Sequence, residues 1–258
     1  MNTVSRHLRL RKGLLIAGTC LLALTARAQE SESLRGPDGG TTYHVAGIEV
    51  LAVTGKPFIA KDVIEWTRTL EDGSTVTTHL FANMARDSQG RVYRERRDFV
   101  PANSDKQPVL KEIMLFDPEQ KTRTTCVMAT RQCTITNYRP AVSYRELPVG
   151  SFANGTRTLA RETLGSNVVD DLNVIGTRET TTISAEVLGN DHPLVSTREF
   201  WYSPDLQTNV AVTRKDPREG TQAIHLGDLS RSEPDPALFE VPAGFTVHDL
   251  RRKTLTVQ

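Results

Sequence analysis

The 258-residue chain has a basic surplus of only one charge, no long apolar run beyond its first 28 residues, only three cysteines, and none of the short motifs that mark a catalytic centre. Each shortage excludes something. Removing residues 1–28 takes away five of the 32 Lys and Arg and no acid, so 27 bases face 31 acids in the remainder. Binding to phosphate backbones needs a basic excess or a concentrated patch, and no nucleic-acid partner is expected. No later stretch approaches the length of a transmembrane helix, so the mature chain is expected to be soluble, with no transmembrane span. A Gly-x-Ser-x-Gly elbow, a phosphate-cradling glycine loop after a strand and a His-Glu-x-x-His pattern are all missing. The five histidines after the leader (His44, His79, His192, His225, His248) are scattered along the chain. Carboxylate pairs such as Glu71-Asp72 and Asp170-Asp171 fall in turn sequences, where exposure gives their pKa values no reason to rise. No enzyme activity, no metal site and no cofactor are expected.

The chain begins with a basic stretch (Arg6, Arg9, Arg11, Lys12), an apolar run from Leu14 to Leu24, and Ala26-Arg27-Ala28. That three-part layout reads as a secretory signal peptide over residues 1–28, cleaved after Ala28. Lipidation of Cys20 is the alternative; Ala17 and Thr19 fit it less well, and apolar residues continue past the cysteine. A periplasmic or secreted location is expected. The mature chain keeps only Cys126 and Cys133, in "TTCVMATRQCTI". An even count in an oxidising compartment suggests a disulfide, and a turn over Ala129 to Gln132 would set the two cysteines face to face across a hairpin. Six intervening residues match neither the redox nor the zinc spacing.

From Tyr43 onward the dominant pattern is period-two alternation broken by turn residues every 8 to 12 positions, the signature of antiparallel β structure. "DVIEWTRTL", "TVTTHLFANMAR" and "RVYRERR" read as a meander turning at Asp72-Gly73 and at "DSQG". After a proline-containing loop, "LKEIMLFDPEQKTRTTCVMATRQCTITNY" supplies three more strands, and four follow from "LNVIGTRETTTISAEVL" to "TQAIHLGDLSR". "TRTLARETLG" is the one stretch with some helical character. Asp235 can cap a short turn with Pro236 at its first position, dropping Leu238 and Phe239 onto the body. In "EFWYSP", alternation places Phe200 and Tyr202 on one side and Trp201 on the other. The three aromatics are therefore expected as core and covering residues, not as one platform. The expected organisation is a flexible leader over 29–42, a β-rich domain over 43–250 and a short tail over 251–258.

The strings "RDSQGRVYRE", "LFDPEQKTR", "GTRETTTI", "EFWYSPDLQTNV" and "DPREGTQAIHLGDLSRSEPDPALFEVPAGFTV" resemble a group of uncharacterised exported proteins of soil bacteria. More distantly, the tryptophan-bearing strand with its following turn and the "VPAGF" ending look like the LolA-type periplasmic lipoprotein carriers. That resemblance implies a mainly β fold, a curved antiparallel sheet or open barrel of about a dozen strands with few short helices, and an apolar concave face that shelters acyl chains. The carriers close their cavity with helices, and this sequence has no clear counterpart. Asp170-Asp171 also stands where the exported group usually has a glycine turn.

The reading that follows is a non-enzymatic exported protein binding an apolar or amphiphilic ligand, a lipid or lipoprotein, with Trp66, Phe81, Met84, Met114, Phe116 and Trp201 as candidate ligand-lining or core residues. Arg86, Arg91, Arg94, Arg96 and Arg97 form the densest charge cluster. They are a candidate patch for anionic head groups or an acidic partner, or else a solvated strand face that discourages edge pairing. The alternative function is an envelope protein-interaction or sensor module with a packed core and no ligand cavity.

Overall fold

A computed structural model describes residues 47–251 apart from residue 145, together with the backbone of 32–35 and 42–45. The signal peptide expected over residues 1–28 lies outside the described residues, as does the tail beyond residue 251. Within the span 29–42, expected as a leader, Glu32–Arg35 is a strand, β1, paired antiparallel with β2 (Thr42–Val45) in a separate two-stranded sheet.

All the other strands belong to one sheet of 14. The first meander is β3 (Phe58–Thr69), β4 (Thr75–Arg86) and β5 (Val92–Arg97). Its turns are those the sequence implies: Gly73 and Gly90 take φ of 82° and 83°, a region that costs glycine little. Asp72 Oδ1 accepts from the Ser74 amide at 2.9 Å and so locks the first turn. The short β6 (Val100–Pro101) pairs with β4, and β7 (Leu110–Asp117), β8 (Thr122–Val127) and β9 (Gln132–Asn137) complete this half. The second half runs through β10 (Gly150–Phe152), β11 (Arg157–Val169), β12 (Leu172–Ile183), β13 (Leu194–Ser203), β14 (Thr208–Asp216) and β15 (Gly220–Ser230). β15 pairs with β3 and so welds the halves together. The last strand, β16 (Thr246–Asp249), returns to the far edge and pairs in parallel with β9. The order across the sheet is β10-β11-β12-β13-β14-β15-β3-β4-β5-β7-β8-β9-β16, and its two ends do not meet. The fold is thus a mainly β, curved, open sheet, antiparallel except at β16.

Alternation produces the core. In β3, Phe58, Ala60, Asp62, Ile64 and Trp66 are buried while the residues between them are half-buried or exposed, as expected when every second side chain faces inward. Register carries this face across the sheet: Val212, Ile224, Ile64 and Leu80 stand side by side on β14, β15, β3 and β4. Against that row pack Phe99, Leu206, Leu172, Val174 and, from the segment preceding β3, Ile48. A smaller cluster of Ala85, Tyr93 and Leu115 is covered by Leu238 and Phe239. These two come from the 3-10 turn Pro236–Phe239, whose Ala237 amide donates to Asp235 Oδ1 at 3.0 Å. The cap reads as the sequence implied.

Three local expectations need correction or refinement. "TRTLARETLG" is not helical but forms most of β11, hydrogen-bonded to β12 along its length. Only Leu159 in it is buried, so it has no apolar stripe to hold a helix against a core, and the neighbouring strand decides. The cysteine hairpin turns through Met128 to Arg131, slightly earlier than Ala129 to Gln132. At the hairpin between β11 and β12, Asp170 and Asp171 take φ of 47° and 59°. Positive φ at both central residues of a two-residue loop is the type I′ geometry that aspartate tolerates.

Candidate functional site

The disulfide is present. Cys126 and Cys133 are directly opposed on β8 and β9, with Cα atoms 4.0 Å apart, and both are fully buried. It pins the hairpin near the sheet edge.

The six aromatic and methionine candidates do not gather around one space. Trp66 and Met84 are in the main core. The Trp66 ring meets Phe99 edge-on at 6.0 Å, and its Nε1 donates to the Glu219 carbonyl. Met114 is buried on β7. Phe81 lies between buried Leu80 and Ala82 in β4 and so points to the opposite side. Phe116 meets Tyr138 at a tilt of 54° with ring centroids 5.2 Å apart. Trp201 lies over Gly176 of the next strand, whereas Tyr202 meets Tyr144 edge-on and Phe200 lies under the Arg198 guanidinium. The three consecutive aromatics make three different contacts.

The five clustered arginines are likewise spread out, and each is engaged. Arg86 is fully buried and donates to the carbonyls of Lys56 (2.9 Å), Leu51 (2.8 Å) and Leu206. Its guanidinium lies 5.1 Å over the Phe58 ring. Burial pushes its pKa down to about 10, against the favourable influence of Tyr144 and Tyr202. Arg91 pairs with Asp87, Arg94 approaches Asp62 at 3.9 Å, Arg96 pairs with Glu112, and Arg97 with Glu95. Register puts Arg94 and Arg96 beside Met114 and Glu112, on the face opposite Arg97.

A recess of about 140 Å³ beside the Pro236–Phe239 turn is lined by Leu115, Ile135 and Phe239 together with Arg91 and Arg251. Asp87 and Asp249 neutralise the two arginines. Pockets for drug-sized ligands run to several hundred Å³, so this space admits a single side chain or a small molecule and not an acyl chain. Among the described residues no cluster of three or more His, Cys, Asp or Glu could hold a metal ion, and no helix is long and apolar enough to cross a membrane.

The region from β11 to β13 is different. There Leu172 and Val174 of β12 belong to the main core while the alternate residues Asn173 and Ile175 are exposed, and a register shift at Trp201/Tyr202 sets Tyr202 opposite Asn209. One row runs Arg161, Glu179, Arg198, Arg214, Gln222, Trp66 from β11 to β3; the next runs Thr163, Thr177, Phe200, Val212. Further along, Ile175 stands opposite Tyr202, and Val168 opposite Asn173. Val168 is 62% exposed and Ile175 44%. Arg161 is tied to Glu179, Glu146 and the Leu147 carbonyl, and Arg214 lies 3.0 Å from Glu219. Arg198 has neither hydrogen bond nor ion pair among the described residues, and its Nε is buried. Desolvation lowers its pKa first of all; Glu179 works the other way and Arg214 adds to the lowering. Alternation in "STREFWY" already aligns Arg198, Phe200 and Tyr202, but their conjunction with Arg214, Ile175 and Val168 depends on register, which a single strand does not reveal.

No family model matches the sequence, and no curated relative matches it. Among solved structures the chain is similar to MucB (12% identity, TM-score 0.37, covering 76% of this chain and 61% of that one). It is also similar to LprF from Mycobacterium bovis (12%, 0.26, 70% and 90%) and to a DUF1329 family protein from Desulfovibrio piger (11%, 0.21, 73% and 91%). The chain thus spans about three-fifths of the length of MucB. These are partial likenesses.

Proposed function

We propose that this protein is an exported, non-enzymatic binding protein that holds an apolar or amphiphilic ligand, a lipid or the acyl-bearing part of a lipoprotein, on the open face of its sheet. The observation that carries the reading is a group of exposed apolar side chains beside the packed core. Over β3, β4, β14 and β15 the core is filled by Trp66, Phe99, Leu206 and their neighbours, with Phe200 packed against it; on the side of β12 and β13 that carries Phe200, Ile175 and, from β11, Val168 are exposed. The ligand therefore lies on the sheet, next to the packed core, and not in an internal cavity. Exposed apolar side chains grouped on one face mark an interaction surface more often than scattered ones do.

A specific observation favours a second reading, a protein-interaction module. β10 covers only the first three residues of β11, leaving Ala160 to Val169 without a neighbouring strand on that side among the described residues. A long free edge is a template for an added strand.

The test is to purify the full-length protein from a native-like envelope, extract it with organic solvent and identify bound amphiphiles by mass spectrometry, alongside titration with lipid monitored by tryptophan fluorescence. A bound amphiphile and a saturable shift support the first reading. No extractable amphiphile, no shift, and capture of an extended peptide at the β11 edge would replace it with the second.

A further inference from the structure

Two like charges directly opposite each other in neighbouring strands are unfavourable, and Arg198 and Arg214 are such a pair on β13 and β14. The neighbouring carboxylates offset it only in part, although Glu179 stands directly opposite Arg198. Glu179 is held by Arg161, Glu219 stands by Arg214, and Arg198 has no acceptor of its own among the described residues. Its guanidinium instead lies 5.0 Å over the Phe200 ring, a contact that uses none of its hydrogen-bond donors. A planar fork of this kind suits the oxygens of phosphate or carboxylate. The other arginines near the core offer nothing similar, since Arg86, Arg91, Arg94, Arg96 and Arg97 are each already matched to a carbonyl or a carboxylate.

An apolar track leads away from the pair on the same face. Phe200 is two residues along the strand from Arg198, Tyr202 four, and Ile175 stands opposite Tyr202 with Val168 diagonally beyond it. At about 3.3 Å per strand residue, Ile175 lies roughly 13 Å from the arginine row. That is within reach of a medium-length alkyl chain whose head group sits at the guanidinium groups.

We propose that Arg198 and Arg214 form a head-group site for an anionic amphiphile, the phosphate or carboxylate lying between the two guanidinium groups and the alkyl chain running over Phe200 toward Ile175 and Val168. The inference rests on the amphiphile-binding reading above and adds the charge of the ligand and its direction on the sheet. An anion placed there removes the like-charge conflict and supplies Arg198 with acceptors, while the chain covers the exposed Val168 and Ile175.

The test titrates the full-length protein by calorimetry with three probes, each below its micellar concentration where it has one: dodecyl phosphate, dodecyl maltoside and inorganic phosphate. Dodecyl phosphate is expected to bind at least about 10-fold more tightly than the neutral dodecyl maltoside, and inorganic phosphate at least about 100-fold more weakly than dodecyl phosphate, since each part of the site contributes separately. R198Q and R214Q should each bring dodecyl phosphate down to the level of the neutral probe and leave dodecyl maltoside unchanged. Equal affinity for the two dodecyl probes, unaltered in both variants, overturns the head-group site while leaving the amphiphile reading intact. Inorganic phosphate binding as tightly as dodecyl phosphate overturns the apolar track, and failure of both dodecyl probes to bind overturns the amphiphile reading itself. R198Q removes one of two facing like charges and is not expected to lower the melting temperature, whereas R214Q also takes the ion-pair partner from Glu219; having two variants keeps the test valid if one of them folds poorly.

Discussion

Gly176 and Trp201 stand directly opposite each other on β12 and β13, and the indole covers the glycine so closely that a Cβ there would lie 2.7 Å from the ring and 2.9 Å from the Leu164 Cβ. The absence of a side chain at 176 is what lets the ring approach the β12 backbone so closely. Gly176→Ala is therefore expected to destabilise the protein by about 1–3 kcal/mol through overpacking. The double variant Gly176→Ala with Trp201→Leu should recover part of that loss, because the two sites share one space. Urea denaturation of the three variants measures it; an unchanged midpoint in Gly176→Ala would contradict the contact.

Arg86 joins three separate pieces of chain through the carbonyls of Leu51, Lys56 and Leu206. Arg86→Met leaves these acceptors without their donor, and at about 1–3 kcal/mol for each unsatisfied buried group the total loss should exceed about 3 kcal/mol. Arg86→Lys should recover only part, because an ammonium cannot span the guanidinium's fork. The sign of the pH dependence is also fixed. Burial lowers the folded pKa to about 10, so above that value the unfolded chain binds more protons at this group and its contribution to stability rises with pH. Below it the full desolvation penalty is present. Denaturation of the wild type and Arg86→Met between about pH 9 and 11 should show the difference growing in favour of the wild type.

Glu95 gives the opposite dependence at the acid end. Burial by itself would raise its pKa, but donors from Arg97, the Asn83 amide, Tyr93 and the Asn83 side chain outweigh burial and hold it below the ordinary value. Its stabilising contribution is therefore complete above the unfolded glutamate value of about 4.3 and is lost as pH falls through the lowered folded value. Glu95→Gln should cost about 1–3 kcal/mol at neutral pH, and the gap between variant and wild type should close on acidification. Thermal melts from pH 7 to pH 3 test this, and a gap that stays constant with pH would show that charge plays no part.

The bond between Cys126 and Cys133 closes a loop with a sequence separation of 7. The chain-entropy relation gives about 2.5 kcal/mol for so short a loop. Replacing both cysteines by alanine should therefore lower stability by about that amount, with a further cavity contribution because both are fully buried. If the double variant melts at the wild-type temperature, the crosslink is not a structural staple.

Local chemistry made much of the architecture legible. Alternation in "DVIEWTRTL" and "TNVAVTRKD" assigned both strands and set Ile64 with Trp66, and Val210 with Val212, on common faces, because a pleated strand repeats every two residues whatever it pairs with; which face looks inward was decided by packing. Asp72-Gly73, the Asp235-Pro236 cap and the cysteine hairpin were readable for the same reason: each interaction closes within a few residues. β11 was not, because threonine, leucine and glutamate in "TRTLARETLG" leave helix and strand close in energy, and only pairing with β12 separates them.

What the sequence by itself determined is thus the alternating strands, the turns between them and the even pair of cysteines, all set by short-range geometry. Tertiary structure decided which strands became neighbours: β15 beside β3, β16 returning to β9, and Arg198 beside Arg214. It also took Arg86, one of five similar arginines in the sequence, and made it the fully buried tie between distant segments. The physical reason is that a side chain's partner, and hence its charge environment, is fixed by register between strands many residues apart, and alternation within one strand carries no information about that register.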